Sequence, residues 1–453
     1  MKIRDGKIAC FKAYDARGRV PDELDAALAV DIAQAYVEVV GARRVAVGYD
    51  IRLTSPAIAH AVMEGLNRAG ADVVSIGQCG TEEIYFATAH LGLDGGIMVT
   101  ASHNPKDYNG MKFVREDARP ISGDTGLVEI ATVGARGGFE SAAQAGSVEE
   151  VDNRPAYLEH LMSYVDVSAL RPLRIVANAG NGCAGPVLDE LEKRLPFTFV
   201  KLQNEPDGNF PNGVPNPLLL ENRALTADAV RREGADLAIA WDGDFDRCFF
   251  FDERGEFIEG YYIVGLLAKL LLAKNPGGKI VHDPRLVWNT AELVGAAGGE
   301  VVQSKSGHAF IKEKMRNVDA LYGGEMSAHH YFRDFSYCDS GMIPWLLVAA
   351  ALSSDGRPFS KLVEERLALF PASGEINRRV DDAAVVFEKV DAKYRPFADS
   401  VDEIDGLSMN FGNWRFNLRR SNTEPLVRLN VETRGDVPLM ETKTAELLEL
   451  VDG

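Results

Sequence analysis

The amino-acid sequence predicts an α/β protein, and three observations carry that expectation. Helical patterns such as Asp25 to Val40 alternate with short β-rich runs such as Val45-Ala46-Val47-Gly48 and Val73-Val74-Ser75-Ile76. Alternation of this kind builds layered domains around largely parallel strands. An apolar run followed at once by a loop of reactive side chains recurs along the chain, which suggests three related α/β domains. The length of 453 residues leaves room for about two to four domains.

The expected division is an α/β domain over residues 1–150, a second over 151–255, a third over 256–365 and a smaller unit over 366–453. A Gly/Ala/Ser/Glu-rich stretch from Gly134 to Glu150 separates the first domain from the second, which opens with Arg174-Ile175-Val176-Ala177-Asn178. The third holds the short strand Ile280-Val281-His282. A break near Ser353-Ser354-Asp355-Gly356-Arg357-Pro358 and a long helical stretch precede the last unit.

The first reactive loop follows Gly96-Ile97-Met98-Val99, which reads as a short buried strand. Its end delivers Thr100-Ala101-Ser102-His103-Asn104-Pro105, where the proline forbids further strand pairing. Loops at the rim of a sheet favour binding and catalytic groups. Lys112 supplies a cation close by in sequence. Taken alone, Ser102 is as readily a helix N-cap; the other loops argue against that.

The second loop, Asp242-Gly243-Asp244-Phe245-Asp246-Arg247, follows the apolar run Leu237-Ala238-Ile239-Ala240-Trp241. Aspartates at alternate positions share one side if the segment is extended. Crowded carboxylates resist ionising unless a cation sits among them, and oxygen ligands suit a hard ion such as Mg2+. The alternative, an acidic surface turn, fits poorly with Trp241 before and Cys248-Phe249-Phe250-Phe251 after. An EF-hand would place Glu253 at its twelfth loop position, but Arg247 stands where that loop needs glycine, and the flanks read as strands.

Two further loops follow the same plan. Ala320-Leu321-Tyr322 leads into Gly323-Gly324-Glu325-Met326-Ser327-Ala328-His329-His330, read as a glycine turn carrying groups suited to sugar hydroxyls. Phe416-Asn417-Leu418 leads into Arg419-Arg420-Ser421-Asn422-Thr423-Glu424-Pro425, whose arginine, hydroxyl and amide donors fit a phosphate dianion. Ser421 and Glu424 also have capping-box spacing, which is compatible because a helix N-terminus is itself an anion site.

These four loops stand at the signature positions of a known family. The chain resembles the alpha-D-phosphohexomutases, and within them the bacterial phosphomannomutase/phosphoglucomutase branch, from Phe11-Lys12-Ala13-Tyr14-Asp15-Ala16-Arg17-Gly18 to Asn430-Val431-Glu432. Met326 in Gly324-Glu325-Met326-Ser327 resembles the mannose/glucose branch and not the glucosamine one, which stays as the alternative within the family. Ala16 and Arg420 depart from the usual residues without removing a functional group. The resemblance implies that the last unit is an α+β domain, and that all four domains line a central cleft. It implies that Ser102 carries a phosphoryl group, and that Asp242, Asp244 and Asp246 hold Mg2+ together with that residue. Glu325 and Ser327 would bond sugar O3 and O4, while Arg419, Ser421, Asn422 and Thr423 grip the phosphate already on the substrate. Tyr14, Arg17, His103, Lys112, Arg247, Arg285, His308 and His329 would line the cleft, with Lys112 and His329 as candidates for acid/base work. The reaction implied is reversible interconversion of hexose 6-phosphate and hexose 1-phosphate through a phosphoserine and a hexose 1,6-bisphosphate. No group in this scheme holds O2, so both mannose and glucose phosphates are expected to fit.

One motif points elsewhere. Gly180-Asn181-Gly182-Cys183-Ala184-Gly185 fits the dinucleotide fingerprint G-x-G-x-x-G, with Glu205 downstream. A strand-to-helix turn has the same need for glycine without a cofactor, and an NAD-dependent dehydrogenase leaves the aspartate and Arg419 loops unexplained. Adjacent His329 and His330 face opposite sides of an extended segment, so His330 is expected to be structural. Asp339-Ser340-Gly341 reads as scaffolding for the site.

Composition narrows the partners. A net charge of −18 argues against nucleic acid or an anionic membrane surface. A small-molecule phosphosugar is the expected partner, with the chain a monomer or weak dimer. Five cysteines without C-x-x-C spacing form no disulfide framework. No apolar run approaches transmembrane length, and the N-terminus is no signal peptide, so a cytoplasmic location is expected.

Overall fold

The computed structural model describes residues 2–420 and 426–453. The chain divides into two compact units, Met1–Phe257 with Asp334–Gly356, and Ile258–Arg333 with Arg357–Gly453.

In the first unit, one sheet orders its strands Ala16–Arg19, Tyr108–Arg115, Gly95–Val99, Arg44–Tyr49, Asp72–Gln78 and Val148–Glu150. The strands from Gly95–Val99 onward pair in parallel, whereas Gly95–Val99 meets Tyr108–Arg115 as an antiparallel hairpin. Helix Ala26–Val40 starts where the Asp25 side chain accepts from Leu28 N, and stops at Gly41 with φ 74°. Its apolar positions Leu28, Ile32 and Tyr36 bury against Val45, Val47, Ile97 and Val99 in one core. Each such side chain stabilises the fold by roughly 1.5–3 kcal/mol through burial.

A second sheet of the same unit runs Thr198–Leu202, Arg174–Asn178, Leu237–Trp241, Cys248–Phe251 and Phe257–Ile258. In the second unit, neighbouring strands run Glu300–Gln303, Lys279–His282, Tyr322–Gly324 and His330–Phe332. The three sheets share one plan: strands Arg44–Tyr49, Arg174–Asn178 and Lys279–His282 each sit between the next two parallel strands of the chain, and the later of those two turns back as a hairpin. Closing pairs of those hairpins are Val99↔Met111, Trp241↔Cys248 and Gly324↔His330. The reactive loops are therefore the tips of equivalent hairpins. The C-terminal sheet differs, being wholly antiparallel in the order Ile376–Arg379, Leu426–Thr433, Trp414–Arg420, Leu407–Asn410 and Ser400–Asp402.

Several local expectations change. Gly134 lies in helix Val128–Arg136, and Val148–Glu150 joins the first sheet as its edge, so the Gly/Ala-rich stretch is partly structured. Helix Ile343–Asp355 runs through Ser353 and Ser354 and stops at Gly356, with φ 79°. Among the described residues, no helix is long and apolar enough to cross a membrane, and the cysteines are buried and form no disulfide.

Candidate active site

Ser102 is 3% exposed and follows the buried strand Gly95–Val99. It adopts φ 45°, in the left-handed region. It caps no α-helix, which removes the helix-cap alternative. Its backbone N–H donates to Thr100 Oγ1 at 2.9 Å. Its hydroxyl lies 2.7 Å from Asp242 Oδ2 and 3.0 Å from His103 Nδ1. Arg247 Nη2 is 2.6 Å from that same Nδ1, and a guanidinium only donates, so Nδ1 is an acceptor. The His103 side chain is 40% exposed, but desolvation on its inner side, helped by the charges of Arg247 and Arg17, holds it below the ordinary histidine range, in keeping with a neutral ring. Ser102 thus presents one proton to two acceptors, the setting of an activated hydroxyl.

The three aspartates converge by a turn. An extended segment would have put them on one side, but Gly243 and Asp244 form a turn and Phe245 has φ 46°. Gly243 lies against the carbonyl of Ser102, where a Cβ would sit 2.6 Å from that oxygen. Carboxylate oxygens of Asp242, Asp244 and Asp246 come within 4.8 Å of one another, all buried. Asp244 Oδ2 accepts from Thr81 Oγ1 at 2.6 Å and Lys112 Nζ at 2.7 Å, while Oδ1 is buried without a hydrogen-bond partner among the described residues. Lys112 also reaches Asp246 at 2.5 Å, and Arg247 Nε and Nη2 reach Asp242 at 2.9 and 2.7 Å. Burial pushes Asp242 up to about 6; Arg247 opposes, and the charges of Asp246 and Asp244 add to the rise. Three buried oxygen donors, one of them unsatisfied, fit a hard divalent cation.

Burial disfavours the Lys112 cation, yet Asp244 and Asp246 outweigh it and hold Lys112 well above the ordinary lysine range. It stands as a fixed cation that holds its proton, which argues against the acid/base role expected for it. Arg17 Nε donates to Asp15 at 2.7 Å, and its Nη1 to the Ala101 carbonyl at 3.0 Å and Asn104 Oδ1 at 2.5 Å. Tyr14 is half-buried in the bend ahead of strand Ala16–Arg19.

In the second unit, Gly323 and Gly324 belong to strand Tyr322–Gly324, not to a turn. A Cβ would meet Met315 Sδ at 2.6 Å from Gly323 and Val264 Cγ2 at 2.6 Å from Gly324. Glu325 Oε1 accepts from Gly307 N at 2.8 Å, and Oε2 from the Tyr331 hydroxyl at 2.6 Å. His329 Nδ1 is 3.5 Å from Glu325 Oε2. Arg285 makes a fork onto Asp283 at 2.8 and 2.9 Å and reaches Ser327 Oγ at 3.3 Å. Asp283 also accepts from Met326 N at 2.9 Å. Burial works against its ionisation, but Arg285 holds it below the ordinary carboxylate range. His308 opens helix His308–Val318 directly after Gly307. Arg419 lies within strand Trp414–Arg420, not in a loop, and donates to Glu375 at 3.1 Å. Ser421, Asn422 and Thr423, with the capping-box residue Glu424, lie outside the described residues.

Family models for the alpha/beta/alpha domains I, II and III and the C-terminal domain of phosphoglucomutase/phosphomannomutase match residues 9–134, 155–255, 259–370 and 375–449. The chain belongs to the phosphoglucomutase/phosphomannomutase family. It is 59% identical over 452 residues to a phosphomannomutase of Salmonella montevideo, covering 98% of this chain and 99% of that one. It is 57% identical over 453 residues to a phosphomannomutase of Escherichia coli K12, covering 98% and 99%. A crystal structure of a phosphoglucomutase/phosphomannomutase family protein from Burkholderia thailandensis superposes with TM-score 0.87 at 33% identity, covering 98% of this chain and 97% of that one.

Membership of the phosphoglucomutase/phosphomannomutase family accounts for the glycine motif without a dinucleotide. A Cβ on Gly182 would sit 2.7 Å from the Gly243 carbonyl, and one on Gly185 would sit 1.9 Å from that of Asn204. The motif lets two backbones touch beneath the aspartate loop. Trp241 Nε1 donates to the Gly341 carbonyl at 2.8 Å, so Asp339-Ser340-Gly341 scaffolds that loop. His330 is buried with Nδ1 2.6 Å from the Tyr322 hydroxyl. Sequence inspection missed Thr81, Asp283 and Glu375. Their signal is pairing with distant charges, invisible to local spacing.

Proposed function

We propose that the chain reversibly interconverts hexose 6-phosphate and hexose 1-phosphate, of mannose and of glucose, by phosphoryl transfer through Ser102 with a hexose 1,6-bisphosphate as the intermediate. The observation that carries this is the Ser102 hydroxyl, 2.7 Å from a carboxylate of a three-aspartate cluster. Names of the relatives agree with it.

Phosphoryl transfer needs in-line positioning and charge stabilisation more than covalent help. Mg2+ held by Asp242, Asp244 and Asp246 with Ser102 would neutralise phosphoryl oxygens as charge builds on them. Arg247 and Lys112 add fixed positive charge. His103 and Asp242 are placed to accept the Ser102 proton when the hydroxyl attacks, and His329 to give one to the departing sugar oxygen. Glu325 and Ser327 would bond O3 and O4. Arg285, His308, Tyr14 and Arg17 would orient the rest of the sugar phosphate, and Arg419, Ser421, Asn422 and Thr423 would hold the resting phosphate. Because no group in this scheme grips O2, turnover of mannose 1-phosphate and glucose 1-phosphate should differ by less than about a thousandfold, ~4 kcal/mol. The net charge of −18 supports a small-molecule partner without nucleic acid or membrane, for a monomer or weak dimer in the cytoplasm.

Intact-mass measurement with and without glucose 1,6-bisphosphate tests the reading. A gain of one phosphate that disappears in Ser102→Ala supports it; a chain that takes no phosphate refutes it.

A further inference from the structure

Arg52 is 1% exposed, and its guanidinium is spent almost wholly on one loop. Nη1 donates to the carbonyls of Pro105 at 2.7 Å and Tyr108 at 3.0 Å. Nη2 donates to the carbonyls of Ser102 at 2.9 Å and Asn104 at 2.6 Å. Nε lies 3.3 Å from Asp50 Oδ2. Asp50 is itself held, accepting from Arg52 N at 3.0 Å, Ser55 Oγ at 2.5 Å and Thr100 Oγ1 at 2.8 Å. Thr100 in turn accepts from Ser102 N. Beneath the guanidinium, the Phe210 ring centre is 5.3 Å away.

The segment between Val99 and Tyr108 has no strand or helix of its own. Some of its carbonyls are paired within the chain, that of Pro105 with Tyr108 N at 3.0 Å, and Arg52 adds a charged donor to those of Ser102 and Asn104, where an unmet buried carbonyl would be costly. The Ser102 carbonyl is gripped from two directions, by Arg52 Nη2 and by the close-packed Gly243. That grip fixes the left-handed turn at Ser102, a conformation a non-glycine residue rarely adopts unaided. The need is mechanical as well as static. A serine that alternates between hydroxyl and phosphate changes its charge by about two, and an untethered loop would shift with each change. Lysine could not replace the fork, because its compact ammonium cannot span four carbonyls.

We propose that Arg52 is a positioning residue for phosphoryl transfer: by tying the carbonyls of Ser102, Asn104, Pro105 and Tyr108 to one buried fork, it keeps the Ser102 oxygen in place through both states of the cycle. This rests on Ser102 being the phosphoryl carrier.

The test mixes full-length protein with glucose 1,6-bisphosphate, quenches at intervals and reads phosphate gain by intact mass in wild type, Ser102→Ala and Arg52→Lys. Wild type should gain one phosphate and Ser102→Ala none. Arg52→Lys should gain it ~100-fold more slowly at saturation, with half-saturation moved less than about threefold. Circular dichroism checks that the variant is folded. Transfer at the wild-type rate, or a change confined to half-saturation, would overturn the proposal. If Arg52→Lys does not fold, the isosteric Asp50→Asn loosens the same seat and should slow transfer ~10-fold; an unchanged rate there overturns it equally. A wild-type protein that gains no phosphate sinks the Ser102 reading itself, and the role of Arg52 with it.

Discussion

The loop after Trp241 and the loop after Gly324 occupy the same place in two sheets of the same strand order, yet their carboxylates are satisfied in opposite ways. In the first, three buried aspartates face Lys112 and Arg247, and Asp244 Oδ1 has no hydrogen-bond partner among the described residues. In the second, each Glu325 oxygen has a protein donor, and Asp283 is paired with Arg285. An unsatisfied acidic cluster asks for a cation. A carboxylate already held by donors is a rigid acceptor, ready for neutral hydroxyls without rearrangement. One hairpin scaffold thus yields two electrostatic settings, decided by which donors surround the tip.

The largest expected effect breaks the first loop. Asp244→Asn should lower turnover by roughly a thousandfold or more, ~4 kcal/mol, and should weaken Mg2+ binding in titration calorimetry. If Mg2+ binds as before, the cluster is not a metal site. Glu325→Gln should cost about 100-fold in kcat/KM, ~2.7 kcal/mol, while Mg2+ affinity stays unchanged; a metal effect there would erase the contrast. Gly182→Ala, which presses a methyl onto the Gly243 carbonyl, should lower stability by ~1–3 kcal/mol in urea unfolding. NADH should give no saturable fluorescence change with the wild type.

The smallest effects are in pH dependence, and their signs differ. Asp242 is pushed up to about 6, so in metal-free protein its contribution to stability is full below the unfolded value of about 4 and is lost as pH rises through 6. Asp283 is lowered, so its contribution is present above that unfolded value and is lost as pH falls through the lower folded one. Melting curves from pH 3 to 7 should show Asp242→Asn removing a decline on the neutral side and Asp283→Asn removing one on the acid side. Equal slopes for both would contradict the assignment.

Much of this was legible locally. Uninterrupted apolar runs marked strands Arg174–Asn178, Leu237–Trp241 and Gly95–Val99, because central strands buried on both faces need no polar alternation. Reactive residues at their ends marked the loops. Shape within the loops was less legible. The aspartates converge through a turn because Gly243 lies against Ser102, a contact between residues 141 positions apart in number. Gly323 and Gly324 read as a turn because glycine usually means one; here side chains of Met315 and Val264 leave no room for Cβ. Arg52, Asp283 and Glu375 lacked a motif, since only the folded chain brings their partners to them.

The most direct test starts from protein already phosphorylated on Ser102 and freed of bisphosphate, mixed with one equivalent of mannose 1-phosphate. Rapid quench should show the protein losing one phosphate as mannose 1,6-bisphosphate appears in matching amount, before mannose 6-phosphate accumulates. Mannose 6-phosphate formed at full rate while Ser102 keeps its phosphate throughout would contradict it.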